Sequence, residues 1–281
     1  MRYGITMFAT DRTMPVWELA VEAEARGLDS VYLPEHTHIP VSRRTPPPTG
    51  DAELPEEYRR TVDPLVALAV AAARTERITL GTGILLAAQR EPIVTAKAIA
   101  TLDAESGGRF VLGIGFGWNQ DEIEHHHVDF KRRRDVCRDH VLAMRSLWRD
   151  DVAEYHGDFF ELAPSWSWPK PARAGGPPVL IGGAAGPKLF AAIADYADGW
   201  IPIGGAGVRA ALDDLRRACD ARGRDVSQLE IVPFGTLPDP GKLDYYEQIG
   251  ISEVVARVRG GTRDEVLPIL DKYRALLDER A

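Results

Sequence analysis

A single α/β domain, a (β/α)8 TIM barrel with insertions after its second and fourth strands, is the fold that the 281-residue sequence predicts. Three observations carry it. Eight short apolar runs each precede a helical stretch, several runs end directly in glycine, and neither a composition break nor a repeat divides residues 1–281. Strand, helix, strand in that order makes a right-handed parallel crossover. The clearest such unit spans residues 78–119, where apolar runs at 78–80 and 110–114 flank a helical stretch at 92–104. A doubly wound open sheet is the competing arrangement, and the count of eight units favours a closed barrel.

Residues 3–8 read as the first strand. The helix at 15–26 buries Val16, Leu19, Ala20 and Ala23 on one face and stops at Gly27. The second strand, 30–33, runs into Pro34-Glu35-His36-Thr37-His38. Residues 39–61 hold three consecutive prolines and many charges, and read as an insertion loop that borders or lids the site. A helix at 63–73 leads to the third strand at 78–80, and the helix at 92–104 leads to the fourth at 110–114. A short helical turn at 120–124 and a longer helix at 131–148 follow. An excursion at 151–178 comprises a β-hairpin turning at 156–158 and an irregular stretch rich in Pro and Trp. The last four strands fall at 178–181, 200–203, 230–234 and 253–256, and the chain closes on a helix at 264–277.

Hydrophobic content of 44% and charged content of 27% suit a soluble globular chain, so a packed core needs no staple. The net charge of −8 argues against a nucleic-acid partner, which would require a basic face. It leaves room for an anionic cofactor, because helix N-termini and backbone amides hold phosphate without side-chain charge. No segment has the apolar length of a membrane span, and the N-terminus lacks a signal-peptide pattern. Cys137 and Cys219 form no metal spacing and no disulfide framework, so the reducing cytoplasm is the expected location.

In a barrel the chemistry sits at the carboxyl ends of the strands. That rule places Glu35, His36, Gly83, Ile84, Gly115, Phe116, Gly117, Trp118, Asn119, Gly182, Gly183 and Ala184 on the active face. It places Ser106-Gly107-Gly108-Arg109, which precedes a strand, on the opposite face. Gly113-x-Gly115-x-Gly117 is a poor match to the dinucleotide fingerprint, which requires G-x-G-x-x-G opening a helix. Gly182-Gly183-Ala184-Ala185-Gly186 follows a strand and opens a helix, so it reads either as an anion site or as a tight turn. Glu35-His36 is the main polar pair: a histidine beside a carboxylate is tuned to exchange protons near neutral pH, and capping of the strand is the alternative. His125-His126-His127 point three ways around a helix and lack the i, i+4 spacing of metal ligands, so no metal is expected. Trp166 and Trp168 read either as core filler or as an aromatic wall for a ligand.

These blocks together resemble the luciferase-like flavin and deazaflavin oxidoreductases, in particular the branch that uses coenzyme F420. The matching runs are Tyr32-Leu-Pro-Glu-His36, Leu80-Gly-Thr-Gly-Ile84, Ala100 through Phe110, Leu112 through Asn119, Val179 through Gly183, and Ala194 through Trp200. The resemblance covers nearly the whole chain. It implies a bulge at Gly83–Ile84 against the back of the deazaflavin, often with a non-proline cis peptide. It implies that Gly117, Trp118 and Asn119 line the cofactor, and that Gly182 and Gly183 meet its phosphate tail. Glu35 and His36 match an acidic–His pair that contacts the ring or serves as acid and base. The expected activity is hydride transfer between the deazaflavin and a small organic substrate, with His36 exchanging the proton and Glu35 biasing its charge. The alternatives are an FMN-dependent monooxygenase, a metal-dependent barrel hydrolase and a non-catalytic deazaflavin-binding protein. A homodimer is implied by resemblance alone, and the loop at 39–61 aligns with no enzyme of known substrate.

Overall fold

The computed structural model describes residues 1–46, 50, 53–205 and 207–280. The central strands of the main sheet are short and largely apolar because both faces are covered: β2 (Ser30–Leu33) and β4 (Phe110–Ile114) are buried at every residue. The other members are β1 (Arg2–Thr6), β3 (Thr79–Thr82), β7 (Val179–Gly182), β8 (Gly199–Ile201), β9 (Glu230–Ile231), β10 (Phe234–Thr236) and β11 (Glu253–Arg257). A separate hairpin pairs β5 (Ala153–His156) with β6 (Glu161–Ser165).

Parallel pairing runs β10-β11-β1-β2-β3-β4-β7-β8-β9. The two ends of that order are successive segments of one strand. Val232 N–H donates to Trp200 O at 2.9 Å on one side, and Val255 N–H donates to Pro233 O at 2.9 Å on the other. β9 and β10 are therefore the seventh barrel strand, and the sheet closes through it. The break falls at Pro233, which has no N–H to give to a ladder.

The intervening helices are α1 (Val16–Ala25), α2 (Pro64–Ala72), α3 (Pro92–Glu105), α4 (Gln120–His125), α5 (Arg133–Arg149), α6 (Pro187–Tyr196), α7 (Val208–Asp220), α8 (Pro240–Gln248) and α9 (Arg263–Asp278). Their starts are written in the sequence. Asp63 and Asp239 each precede a proline and accept an N–H three residues on, from Val66 at 3.0 Å and Lys242 at 2.9 Å. Thr262 and Glu265 form a capping box on α9.

Two cores result. The larger lies between sheet and helices, and takes Leu19, Leu68, Ile99, Val141, Met144 and Ile193 from the helices. The smaller fills the barrel with Tyr32, Val111, Leu180, Ile201, Val232, Phe234 and Val255, and Ile84 packs on it. The insertion that follows β2 is strapped over the strand ends. Arg44 donates to Asp121 at 2.8 Å, and Thr61 Oγ1 donates to the carbonyl of His36 at 2.9 Å.

Candidate functional site: a buried histidine–carboxylate pair beside a glycine-walled cavity

A cavity of about 670 Å³ opens at the carboxyl ends of the barrel strands. Glu35, His36, Gly83, Ile84, Gly115, Phe116, Gly117, Trp118, Gly182 and Gly183 all line it. Asn119 and Ala184 do not. Ala184 is exposed, whereas Asn119 is 1% exposed and neither polar atom of its amide has a partner among the described residues.

The floor is the bulge after β3, and the Gly83–Ile84 peptide is cis. Three of its backbone groups are tied to neighbouring strand ends: Gly83 N–H donates to Leu33 O at 2.7 Å, Ile84 O accepts from Glu35 N–H at 3.1 Å, and Leu85 N–H donates to Gly113 O at 2.7 Å. Two glycines then let Ile84 reach across the barrel mouth. A Cβ at Gly115 would come within 2.5 Å of Ile84 Cδ1, and one at Gly182 within 2.7 Å of Ile84 Cγ2.

His36 sits in the wall with its Nδ1 at 2.9 Å and 3.0 Å from the two oxygens of Glu122. Its side chain is 7% exposed and that of Glu122 is 1% exposed. A carboxylate at Nδ1 fixes the tautomer with the proton there, which leaves Nε2 as the basic nitrogen. No protein group hydrogen-bonds Nε2 among the described residues.

Glu35 is placed differently from the expectation. It makes no contact with the His36 ring. One oxygen accepts Leu86 N–H at 2.7 Å, and the other accepts Arg90 Nε at 2.7 Å together with Arg90 Nη2. Arg90 Nη2 also donates to Asp63 at 2.6 Å. Adjacent residues at a strand end point to opposite sides, so the carboxylate beside His36 in sequence cannot also be the one beside its ring. Burial pushes the Glu35 carboxyl above the usual carboxylate range, against the pull of Arg90 and of Leu86 N–H. The pair holds the turn after the floor bulge in place.

Three further groups reach the cavity without a signal that singled them out. Arg133 and Arg134 open α5 and line the wall near Gly117, where Arg133 Nε donates to Gly117 O at 3.3 Å. Arg134 lies over the Phe116 ring at 4.2 Å, and its Nη1 is buried without a partner. Among the described residues neither arginine has a carboxylate within salt-bridge distance. Burial, with Arg134 alongside, lowers the pKa of Arg133. Tyr58 enters from the insertion, on the 3-10 turn Glu56–Arg60.

The histidine run lies apart. His38 Nε2 and His125 Nδ1 are 2.9 Å apart, and His126 Nε2 is 2.9 Å from Thr37 Oγ1. Among the described residues no three His, Cys, Asp or Glu side chains converge as a metal site. Trp166 and Trp168 are 79% and 59% exposed and do not line the cavity, so they are neither core filler nor its wall. No helix among the described residues is long and apolar enough to cross a membrane.

Known proteins resemble this chain in sequence and in fold. A family model described as luciferase-like monooxygenase matches residues 8–237. An uncharacterised protein of Mycobacterium tuberculosis is 41% identical over 280 residues, covering 99% of both chains. The F420-dependent glucose-6-phosphate dehydrogenase of Amycolatopsis mediterranei is 32% identical over 208 residues, which are 72% of this chain and 56% of that one. In three dimensions, the crystal structure of a monooxygenase from Streptomyces bottropensis superposes with a TM-score of 0.80 at 21% identity over 100% of each chain. The chain belongs to the luciferase-like monooxygenase family.

Proposed function

We propose that this protein is an F420-dependent oxidoreductase acting on a small organic substrate. The observation that carries the reading is the His36–Glu122 pair, buried in the wall of a cavity floored by a glycine-flanked bulge. A relative at 32% identity bears an F420-dependent name, which supports the cofactor assignment. The residues present also fit the group. Ile84, given room by Gly115 and Gly182, offers a smooth apolar face to a flat ring. The unpartnered Nη1 of Arg134 and the unneutralised charge of Arg133 suit an anionic tail beside Gly182 and Gly183.

When bound, the deazaflavin would supply the hydride acceptor or donor. His36 Nε2 would take the hydroxyl proton of an alcohol as its C–H bond gives up hydride, or return a proton to the oxygen in the reverse direction. Glu122 would hold the ring by Nδ1 and stabilise the imidazolium that results. Glu35, through Leu86 N–H and Arg90, would keep the floor bulge rigid, so that orientation is preserved from one turnover to the next. Arg133 and Arg134 would anchor the tail. No member of this set needs a metal.

The test is turnover of a panel of neutral alcohols with F420, followed by loss of the deazaflavin's visible absorbance. His36→Ala should lower kcat at least about 100-fold while F420 affinity is retained. Unchanged turnover in that variant would remove His36 from the chemistry.

A further inference from the structure

Helix α4 carries Glu122, yet little in the helix itself fixes its place. Of its six residues only Glu122 and Ile123 are buried, and its N-cap, Asn119, makes no side-chain capping bond. A helix of this length does not hold in water by itself. Its position is set from outside.

The outside contacts come from one stretch of chain. Residues 36–45, which leave β2, wrap α4. His36 meets Glu122 at one end, and Arg44 and Thr45 meet the first turn at the other. Arg44 gives Asp121 two hydrogen bonds, from its main-chain N–H to Oδ2 and from Nε to Oδ1, both at 2.8 Å. Its Nη2 pairs with Glu124. Gln120 N–H donates to Thr45 Oγ1 at 3.2 Å, and Gln120 Nε2 donates to Glu124 Oε1 at 2.7 Å. Between the two ends, Thr37 Oγ1 lies 2.9 Å from His126 Nε2, and His38 Nε2 lies 2.9 Å from His125 Nδ1. Every residue of α4 except Ile123 takes part in one of these contacts.

Arg44 lies outside the cavity, with a side chain 56% exposed. An isolated ion pair at such a site contributes little. This one differs, because a single carboxylate takes both a main-chain N–H and a guanidinium N–H, and the same guanidinium reaches a second carboxylate one turn on. Glu122 directly follows Asp121, so any shift of that turn moves the carboxylate facing His36 Nδ1.

We infer that Arg44 is a positioning residue for His36. By fastening the first turn of α4 to the insertion, it holds Glu122 on Nδ1 and so keeps the tautomer that leaves Nε2 free. The effect on turnover rests on the oxidoreductase reading above, whereas the effect on the histidine–carboxylate pair does not.

The experiment reads that pair first. Protein carrying isotope-labelled histidine, without cofactor, is examined by NMR at neutral pH for an imidazole Nδ1–H that exchanges slowly with water. The His36 signal is identified by its absence from His36→Ala. It is expected in the wild type, absent from Glu122→Ala, and broadened or lost in Arg44→Ala and Asp121→Ala, with Tm nearly unchanged in the last two. Turnover is then measured with F420 and the neutral alcohol converted fastest in the panel above. Arg44→Ala should lower kcat about fivefold with KM and F420 affinity nearly unchanged, and by less than about twofold in the Glu122→Gln background. A His36 signal unaltered in both Arg44→Ala and Asp121→Ala would overturn the inference, as would an equal loss of turnover in the two backgrounds. A wild type that converts no alcohol with F420 would overturn the oxidoreductase reading alone, and the His36 signal would still decide the role of Arg44.

Discussion

His36 and Glu35 are neighbours in sequence, yet they serve different parts of the site because a strand end sends them apart. Glu35 is spent on Leu86 N–H and Arg90, while His36 meets a carboxylate from α4, 86 positions later in the chain. No pattern of spacing could pair residues 36 and 122, since the pairing depends on where α4 lies after β4. A buried acid in the first turn of a helix leaving the active face was the available signal, and it was read only as part of a helical turn. Replacing Glu122 with Gln keeps a hydrogen-bond acceptor at Nδ1 and removes the charge. Turnover with F420 should then fall at least about tenfold with unchanged F420 affinity. Steady-state kinetics beside a cofactor titration would check this, and an equal loss in both would make Glu122 a structural residue instead.

At the level of elements, most strands were legible because both faces are buried and the sequence is apolar without alternation. The seventh was read as one strand, 230–234, and is two segments about Pro233, the second reaching Thr236. The hairpin was also legible, although its turn spans Gly157 to Phe160, closed by a 3.0 Å bond, rather than 156–158. The opposite barrel face behaves as expected for a stability face. Arg109 donates to the carbonyls of Ala72, Thr75 and Ile78 at 3.0, 3.0 and 2.8 Å, where α2 ends and β3 begins. Glu24 accepts the N–H groups of Arg77 and Ile78 at 2.7 and 2.8 Å, and that of Glu76 at 3.1 Å. Burial opposes ionisation of Glu24, but these amides outweigh it and hold the carboxyl below its ordinary value. A depressed carboxylate contributes stability above its unfolded pKa of roughly 4.3, and that contribution is lost as pH falls through the folded value. Glu24→Gln should therefore cost on the order of 1 kcal/mol at neutral pH and little in strong acid. Urea unfolding at pH 7 and at pH 3 would show it, and an equal loss at both would contradict the ionic origin.

Across the whole molecule, a chain of net charge −8 keeps two unneutralised arginines in the lining of its cavity. That placement was not legible from composition. Arg132, Arg133 and Arg134 fall at the start of the helix expected at 131–148, and only the fold shows that the last two line the cavity while Arg132 pairs with Asp135. The insertion was recognisable as a border to the site from its length and prolines, but the inward side chain, Tyr58, was not. The arrangement predicts that F420 affinity weakens as salt rises, since the anionic tail would be held by charge. Arg134→Ala should weaken binding about tenfold and remove most of that salt sensitivity. Titrations at low and high ionic strength would check it, and an unchanged affinity would place the tail elsewhere.

The most direct measurement is a fluorescence titration of the purified protein with F420 and, in parallel, with FMN. The account predicts saturable F420 binding with micromolar or tighter Kd, and FMN binding weaker by at least about tenfold. Tighter binding of FMN, or binding of neither, would contradict it.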